Sequence, residues 1–267
     1  MYEETTHIVR DIIKRRYELI PYLYSLALES HSTATPPQRW TGWGYESDPE
    51  IWNNKVLTDG ETQYWLGDSL LIGGVFEPGQ STAKMYLPRG DSDSSLHFLD
   101  VNEPQNYYKA GQWIEVSAKW DESIPVIAKV GSAIPVGRPE QTLSAGDITN
   151  PANLPLDDYR AVELFPPKSS SDGRKFGNTW YEDDGISPPP ARISKFEVMY
   201  ATDEKKIYVE YKEHLQTGFN PAWKKLHVVL PAGDRRSVVF NGQEVDVSKT
   251  DGKGRPHFEG KGVRSQI

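Results

Sequence analysis

Cysteine is absent from the 267 residues, methionine occurs three times, and Lys plus Arg number 30 against 38 Asp plus Glu. Each shortage excludes something. Without Cys there are no disulfides and no thiolate metal sites. A formal net charge of −8 and a pI near 5.3 argue against nucleic acid as a partner, which a clustered basic surface would attract. No apolar run approaches the ~18 residues of a membrane span, so no membrane partner is expected, and the first residues lack the basic-then-apolar layout of a secretory signal. No Asn-x-Ser/Thr acceptor occurs, and together with the missing Cys this fits an intracellular protein. The six His (His7, His31, His97, His214, His227, His257) are scattered without the spacing of a zinc site. There is no G-x-S-x-G elbow and no P-loop, so no cofactor and no metal are expected.

What is present is a globular composition, 37% hydrophobic with eight Trp and fourteen Tyr, on a length that suits about two domains of ~100–200 residues each. The first third reads as helical. Thr5 or Thr6 can cap a helix running to about Ser30. Ile8, Ile12, Ile13, Tyr17, Ile20, Leu23, Tyr24 and Ala27 recur at helical spacing as one broad apolar face. Pro21 lacks the donor that would bond Tyr17 and should kink the helix. Pro36-Pro37-Gln38-Arg39-Trp40 reads as extended, because a residue before proline is pushed out of the helical region. Thr41 to Gly60, rich in Trp, Gly and Asp, reads as an ordered loop.

Near Leu66 the class changes, which suggests a domain boundary. Gly67-Asp68 makes a tight turn, and Leu70–Val75 is a continuous apolar run of strand length. Strands follow at Ala83–Leu87, Leu96–Leu99, Gln112–Val116 and Val126–Val130, with Gly and Pro between, the pattern of a sandwich. Its expected core is Leu70, Ile72, Val75, Met85, Leu87, Trp113, Val126, Ile127 and Ile134. Pro139 to Leu156 reads as a linker or long loop. A second β region holds Tyr159–Phe165, Thr179–Glu182, Ile193–Tyr200, Lys206–Tyr211, Leu226–Leu230, Ser237–Phe240 and Glu244–Val247, with Asn241-Gly242 as a hairpin signal. The tail from Lys249 onward is Gly- and Lys-rich and reads as loose.

RYELIPYLYSLALESH, then PPQRW, QYWLGDSLLIGGVFEPG, MYLP and IPVIAKVGSAIPVG occur here in one fixed order. That order resembles the C-terminal part of glycoside hydrolase family 31, the α-glucosidases and α-xylosidases, and WYEDDGIS matches a later family element more loosely. Two departures stand out: Trp40 lies where the family has Pro after Arg, and Lys129-Val130-Gly131 where it has Arg-Gly-Gly. The resemblance implies a mainly β chain: the C-terminal end of a (β/α)8 barrel (helix plus last strand) over 1–66, a proximal β-sandwich over 67–138, and a distal β-sandwich with its linker over 139–267. Its helix would then be a barrel helix, with an apolar face that needs barrel partners.

The resemblance also implies a retaining enzyme acting on an α-linked oligosaccharide or glycoside, with an Asp nucleophile and an Asp acid/base on middle barrel strands. Such a pair lies ~5–5.5 Å apart across the scissile bond. No stretch here matches either catalytic segment, so no catalytic residue is assigned and this chain alone is expected to be inactive. Arg39 and Trp40, at the end of the last barrel strand, would be the substrate-binding candidates, since barrel sites gather at the C-terminal ends of strands. The alternative is that Arg39 pairs a local carboxylate and Trp40 packs. Trp43, Tyr45 and Trp52 are candidates for a sugar platform, against plain loop packing. Asp183-Asp184 beside Trp180 and Tyr181 looks catalytic at first sight, but Asp-Gly after a short strand is ordinary turn chemistry; a calcium site through Glu182, Asp183 and Asp184 is the alternative, without the full D-x-D-x-D-G ligand spacing. Two other readings remain: a glycan-binding module without catalysis, and a structural subunit that pairs with a complementary catalytic chain. A free binding module has no use for a barrel helix and strand, which favours the enzyme part.

Overall fold

A computed structural model describes residues 5–90, 96–138, 157–168, 173–186, 193–215, 219 and 221–260. The expected linker, Pro139 to Leu156, lies outside the described residues. The architecture is mainly β. Its helices are α1 (Thr6–Glu18), α2 (Ile20–Thr33), and the short α3 (Pro49–Asn53) and α4 (Lys55–Thr58). The chain divides into two compact units, one built mostly on Pro36–Ser132 and the other on Val9–Thr35, Ala133–Leu164 and Ser169–Ile267.

The first unit holds β1 (Gln38–Arg39), β2 (Gln63–Leu66), β3 (Leu70–Gly73), β4 (Thr82–Leu87), β5 (His97–Asp100), β6 (Tyr107–Lys109), β7 (Gln112–Ser117) and β8 (Val126–Lys129). Six of these form one sheet in the order β1-β2-β3-β8-β5-β6, and β4 pairs with β7 in a second. Trp65, Leu71, Met85, Leu87, Phe98, Ile114, Val116 and Ile127 come from both sheets into one core. Gln63 joins the layers: its side-chain amide donates to the Tyr86 carbonyl (2.8 Å) and its carbonyl accepts from Tyr86 N (2.7 Å). Most of the expected core is buried, but Val75 is 38% exposed. β3 ends at Gly73, where a Cβ would meet Met85 Sδ at 2.6 Å, so the apolar run leaves the sheet before Val75. Ile127 is fully buried, and Ile127→Ala should cost ~2–5 kcal/mol in a urea melt. Lys84→Ala, which loses only an exposed ammonium 5.0 Å from the Trp113 ring, should cost ~1 kcal/mol or less.

The second unit holds β9 (Ala133–Val136), β10 (Arg160–Leu164), β11 (Phe176–Glu182), β12 (Ser194–Thr202), β13 (Lys206–His214), β14 (Leu226–Val229), β15 (Ser237–Phe240), β16 (Gln243–Val245), β17 (Val247–Thr250) and β18 (Pro256–Glu259). Two five-stranded sheets result, β17-β18-β14-β10-β9 and β11-β12-β13-β15-β16. They enclose a core of Trp180, Phe196, Tyr200, Trp223, Leu226, Phe240 and Phe258. Asn241 (φ 46) and Gly242 (φ 79) form the β15–β16 hairpin, as that dipeptide predicts. The expected strand Glu244–Val247 is split, β16 ending in one sheet and β17 starting in the other. The tail is not loose throughout. β18 pairs with β14, Phe258 is buried, and a Cβ on Gly260 would sit 2.1 Å from the Leu226 carbonyl.

α1 and α2 are separate helices broken at Leu19, two residues before Pro21, as the missing proline donor requires. α2 packs on β11 and β9. The face it buries is Tyr22, Ser25, Leu26 and Leu28, whereas Val9, Ile12, Ile13, Ile20 and Tyr24, most of them members of the expected stripe, are each 40–43% exposed. The helical pair is therefore apolar on two faces, only one of which this unit covers.

A pH response follows from β14. His227 stacks on Tyr159 (4.6 Å between rings), and burial pushes its imidazole down to about 4 against an upward pull from Glu259; Arg138, His257 and Lys225 push the same way as burial. The unfolded imidazole protonates near ~6.5. As pH falls from there toward about 4, the unfolded chain binds a proton that the fold refuses, and stability declines. The melting temperature should drop over that window, and His227→Gln should flatten the drop while leaving neutral pH unchanged. His257, also pushed down by burial, keeps a residual slope. An undiminished slope in the variant would contradict this assignment.

Candidate functional site

The residues that the sequence singles out gather in the first unit, around β1 and the loop that follows it. The two prolines hold the chain extended, and β1 pairs antiparallel with β2, Arg39 opposite Trp65. Arg39 is buried. Its Nε donates to the Pro36 carbonyl (2.9 Å), and its Nη1 contacts Asp68 Oδ1 at 2.6 Å. Asp68 follows Gly67 (φ 59) in the β2–β3 turn, with its carboxylate open to solvent. Lys129 on β8 is the third member: burial pushes its ammonium pKa down, Asp68 draws it up, and Arg39 pushes it down again. Asp68 thus pairs with Arg39 and acts on Lys129 through its charge.

Trp40 is half-buried. Its indole N–H donates to the Leu57 carbonyl (2.7 Å), and its ring lies 5.1 Å from that of Trp52 at 57°. Gly42 permits this, since a Cβ there would come within 2.4 Å of Trp40 Cη2. Trp43 and Trp52 are exposed, whereas Tyr45 stacks on Trp65 (5.7 Å, 15°) and belongs to the core. Among the proposed platform residues, Tyr45 therefore packs.

The residue that holds this loop is Asp48, which the sequence reading passes over. Its side chain is fully buried, accepts from Glu50 N (3.2 Å) as the N-cap of α3, and accepts from Tyr86 Oη (2.8 Å) and Arg89 N (3.0 Å). Burial and the bond to Asp48 raise the Tyr86 phenol pKa well above its ordinary value. Glu50, two residues on, accepts from Trp113 Nε1 (3.0 Å). The signal was present as Asp48-Pro49-Glu50, a helix-start pattern, inside a stretch with too little periodicity to suggest a helix.

The acidic pair of the second unit is occupied elsewhere. Asp183 accepts from Tyr24 Oη (2.6 Å) and Gly185 N (2.9 Å), and Asp184 accepts from Ile186 N (3.1 Å), with Gly185 at φ 64. Burial, then Asp183, push the Tyr24 phenol pKa up to about 12. Both carboxylates serve a turn. Among the described residues no group of three His, Asp or Glu is placed to hold a metal ion, and no helix is long and apolar enough to cross a membrane.

Residues 34–134 match the glycosyl hydrolase family 31 C-terminal domain. Over that stretch the chain is a glycoside hydrolase family 31 C-terminal domain. Two curated relatives extend the match. Alpha-glucosidase 2 of Bacillus thermoamyloliquefaciens is 25% identical over 244 residues, 91% of this chain and 27% of that protein. An alpha-xylosidase of Emericella nidulans is 28% identical over 174 residues, 63% of this chain and 21% of that protein. A family 31 dextranase of Flavobacterium johnsoniae, solved with glucose, superposes with a TM-score of 0.71 at 23% identity, covering 97% of this chain and 32% of that one; at that identity it shows the shared fold. The chain therefore spans only about a quarter of the length of the relatives it matches.

Proposed function

We propose that this chain is the C-terminal part of a retaining α-glycosidase, an enzyme that hydrolyses α-glucosides or α-xylosides, whose catalytic carboxylates lie outside these 267 residues. In this reading α1, α2 and β1 are the last helix and last strand of the catalytic barrel, and the β units brace that barrel. The observation that carries it is the outward stripe Val9, Ile12, Ile13 and Ile20, on helices preceding a matched family 31 C-terminal domain. A helical pair that is apolar on two faces belongs between two layers. The second layer is either the rest of the barrel in one chain or a complementary catalytic chain. Arg39 and Trp40 would stand at the strand end nearest the sugar, Arg39 held by Asp68 and Trp40 by the Leu57 carbonyl.

A retaining glycosidase forms a covalent glycosyl–enzyme on its nucleophile, which gives a direct test. After incubation with a 5-fluoro-glycosyl fluoride, the intact mass of this chain should be unchanged. A glycosyl adduct on any Asp or Glu would place the nucleophile within the chain and overturn the proposal. The glycan-binding reading retains one observation in its favour, the exposed Trp43 and Trp52 rings.

A further inference from the structure

Exposed aromatic side chains are common singly, but here they are clustered and fixed. Trp43 is 44% exposed and Trp52 55% exposed. Trp43 sits in the turn that Trp40 opens, its backbone N–H donating to the Trp40 carbonyl (2.9 Å), and Trp52 leans against the Trp40 ring. The Trp52 indole N–H donates to the Glu46 carbonyl (2.7 Å), as that of Trp40 does to Leu57. With both of these indole N–H groups bonded inside the loop, what the Trp40 and Trp52 rings offer outward is carbon. Their positions are set by buried Asp48, by the Glu50–Trp113 bond, and by the tight seat over Gly42. A surface already ordered loses little side-chain freedom when it binds.

We infer that the Trp40–Trp43–Trp52 face is a carbohydrate-binding surface that stacks a pyranose ring of an α-linked glucan. The C–H face of a pyranose is apolar and about as wide as an indole, while its hydroxyls point outward from the ring edge. The surroundings match that division: Glu46, Asn53 and Lys55 are exposed around the aromatic rings and supply acceptors and donors at the edge. A large protein partner would ask for a wider apolar area than two exposed indoles. The choice of an α-glucan rests on the proposed glycosidase function; the stacking itself needs no catalytic group.

The test is native affinity electrophoresis of the whole chain in gels containing dextran or soluble starch, with size-exclusion chromatography in parallel. Retardation by at least one polymer is expected. Trp52→Ala and Trp43→Ala should each weaken it about tenfold, the effect of losing one aromatic contact at the upper end of the usual range. Trp120→Ala, which removes a ring that is 67% exposed on another loop, should migrate like the parent. No retardation, equal retardation of Trp52→Ala, or an equal loss in Trp120→Ala would overturn the inference. So would a Trp52→Ala variant that changes only the oligomeric state, which would make the face a protein contact. Failure here leaves the glycosidase reading intact, whereas a glycosyl adduct on this chain would overturn that reading without touching the platform.

Discussion

Replacing Arg255 with Met is expected to cost about 3–5 kcal/mol, the range for breaking a buried ion pair from one side. Arg255 lies just before β18 and reaches Glu18 on α1 (2.8 Å), Asp251 (2.7 Å) and Glu163 on β10 (3.4 Å). Burial disfavours a charged Glu163, but Arg15 (2.8 Å) and Arg255 more than offset this and hold its pKa below the ordinary carboxylate value. Removing Arg255 leaves that carboxylate in the interior with one partner and frees the last strand from the first helix. The measurement is a urea melt of Arg255→Met, Glu163→Gln and the double variant. The double variant should lose less than the sum of the two single losses, because it no longer buries an unpaired charge. Additive losses, or an Arg255→Met midpoint equal to the parent's, would refute the coupling.

A loss of the same order, about 3–5 kcal/mol, is expected for Arg160→Met, through a different network of the second unit. Glu182 ends β11 and lies almost wholly inside, where Arg160 meets it with Nε at 2.8 Å and Nη2 at 3.2 Å. Trp180 and Trp223 donate their indole N–H groups to the same carboxylate at 2.9 and 3.1 Å. Without Arg160 the charge has only two neutral donors, and the indoles that shape the core lose their fixed acceptor. Near-UV circular dichroism should therefore change together with the melt. Glu182→Gln, which keeps one acceptor oxygen and removes the charge, should be milder in the Arg160→Met background than in the parent. Native tryptophan signals and an unshifted midpoint in Arg160→Met would show that the network contributes nothing.

Local signals in the sequence carried far. The Asn241-Gly242 hairpin and the proline break between α1 and α2 are each set by a few adjacent residues and lie where the pattern puts them, and the Leu70 strand starts where expected but stops at Gly73. Side-chain choices that depend on distant partners were not legible. Val126–Val130 and Ile134 are expected in one proximal sandwich, yet β8 joins β3 and β5 while β9, which carries Ile134, joins β10 in the second unit. Apolar runs say that strands are buried, not in which sheet. The helical stripe showed an apolar face, but the face buried on β11 and β9 is the other one, because Tyr22, Leu26 and Leu28 supply a second surface. At the candidate site, Arg39 and Trp40 were found by resemblance, whereas their fixings, Asp68 and the Leu57 carbonyl, lie 29 and 17 residues away. Asp48 was hidden for the same reason, since its phenol partner is 38 residues on.

The glycosidase chemistry we propose depends on carboxylates outside these 267 residues. The most direct measurement is the release of nitrophenol from nitrophenyl α-glucoside and α-xyloside by the purified chain alone. No release above background is expected, with Asp183→Asn and Asp184→Asn indistinguishable from the parent because those carboxylates serve a turn. Turnover by the chain that disappears in either variant would contradict it.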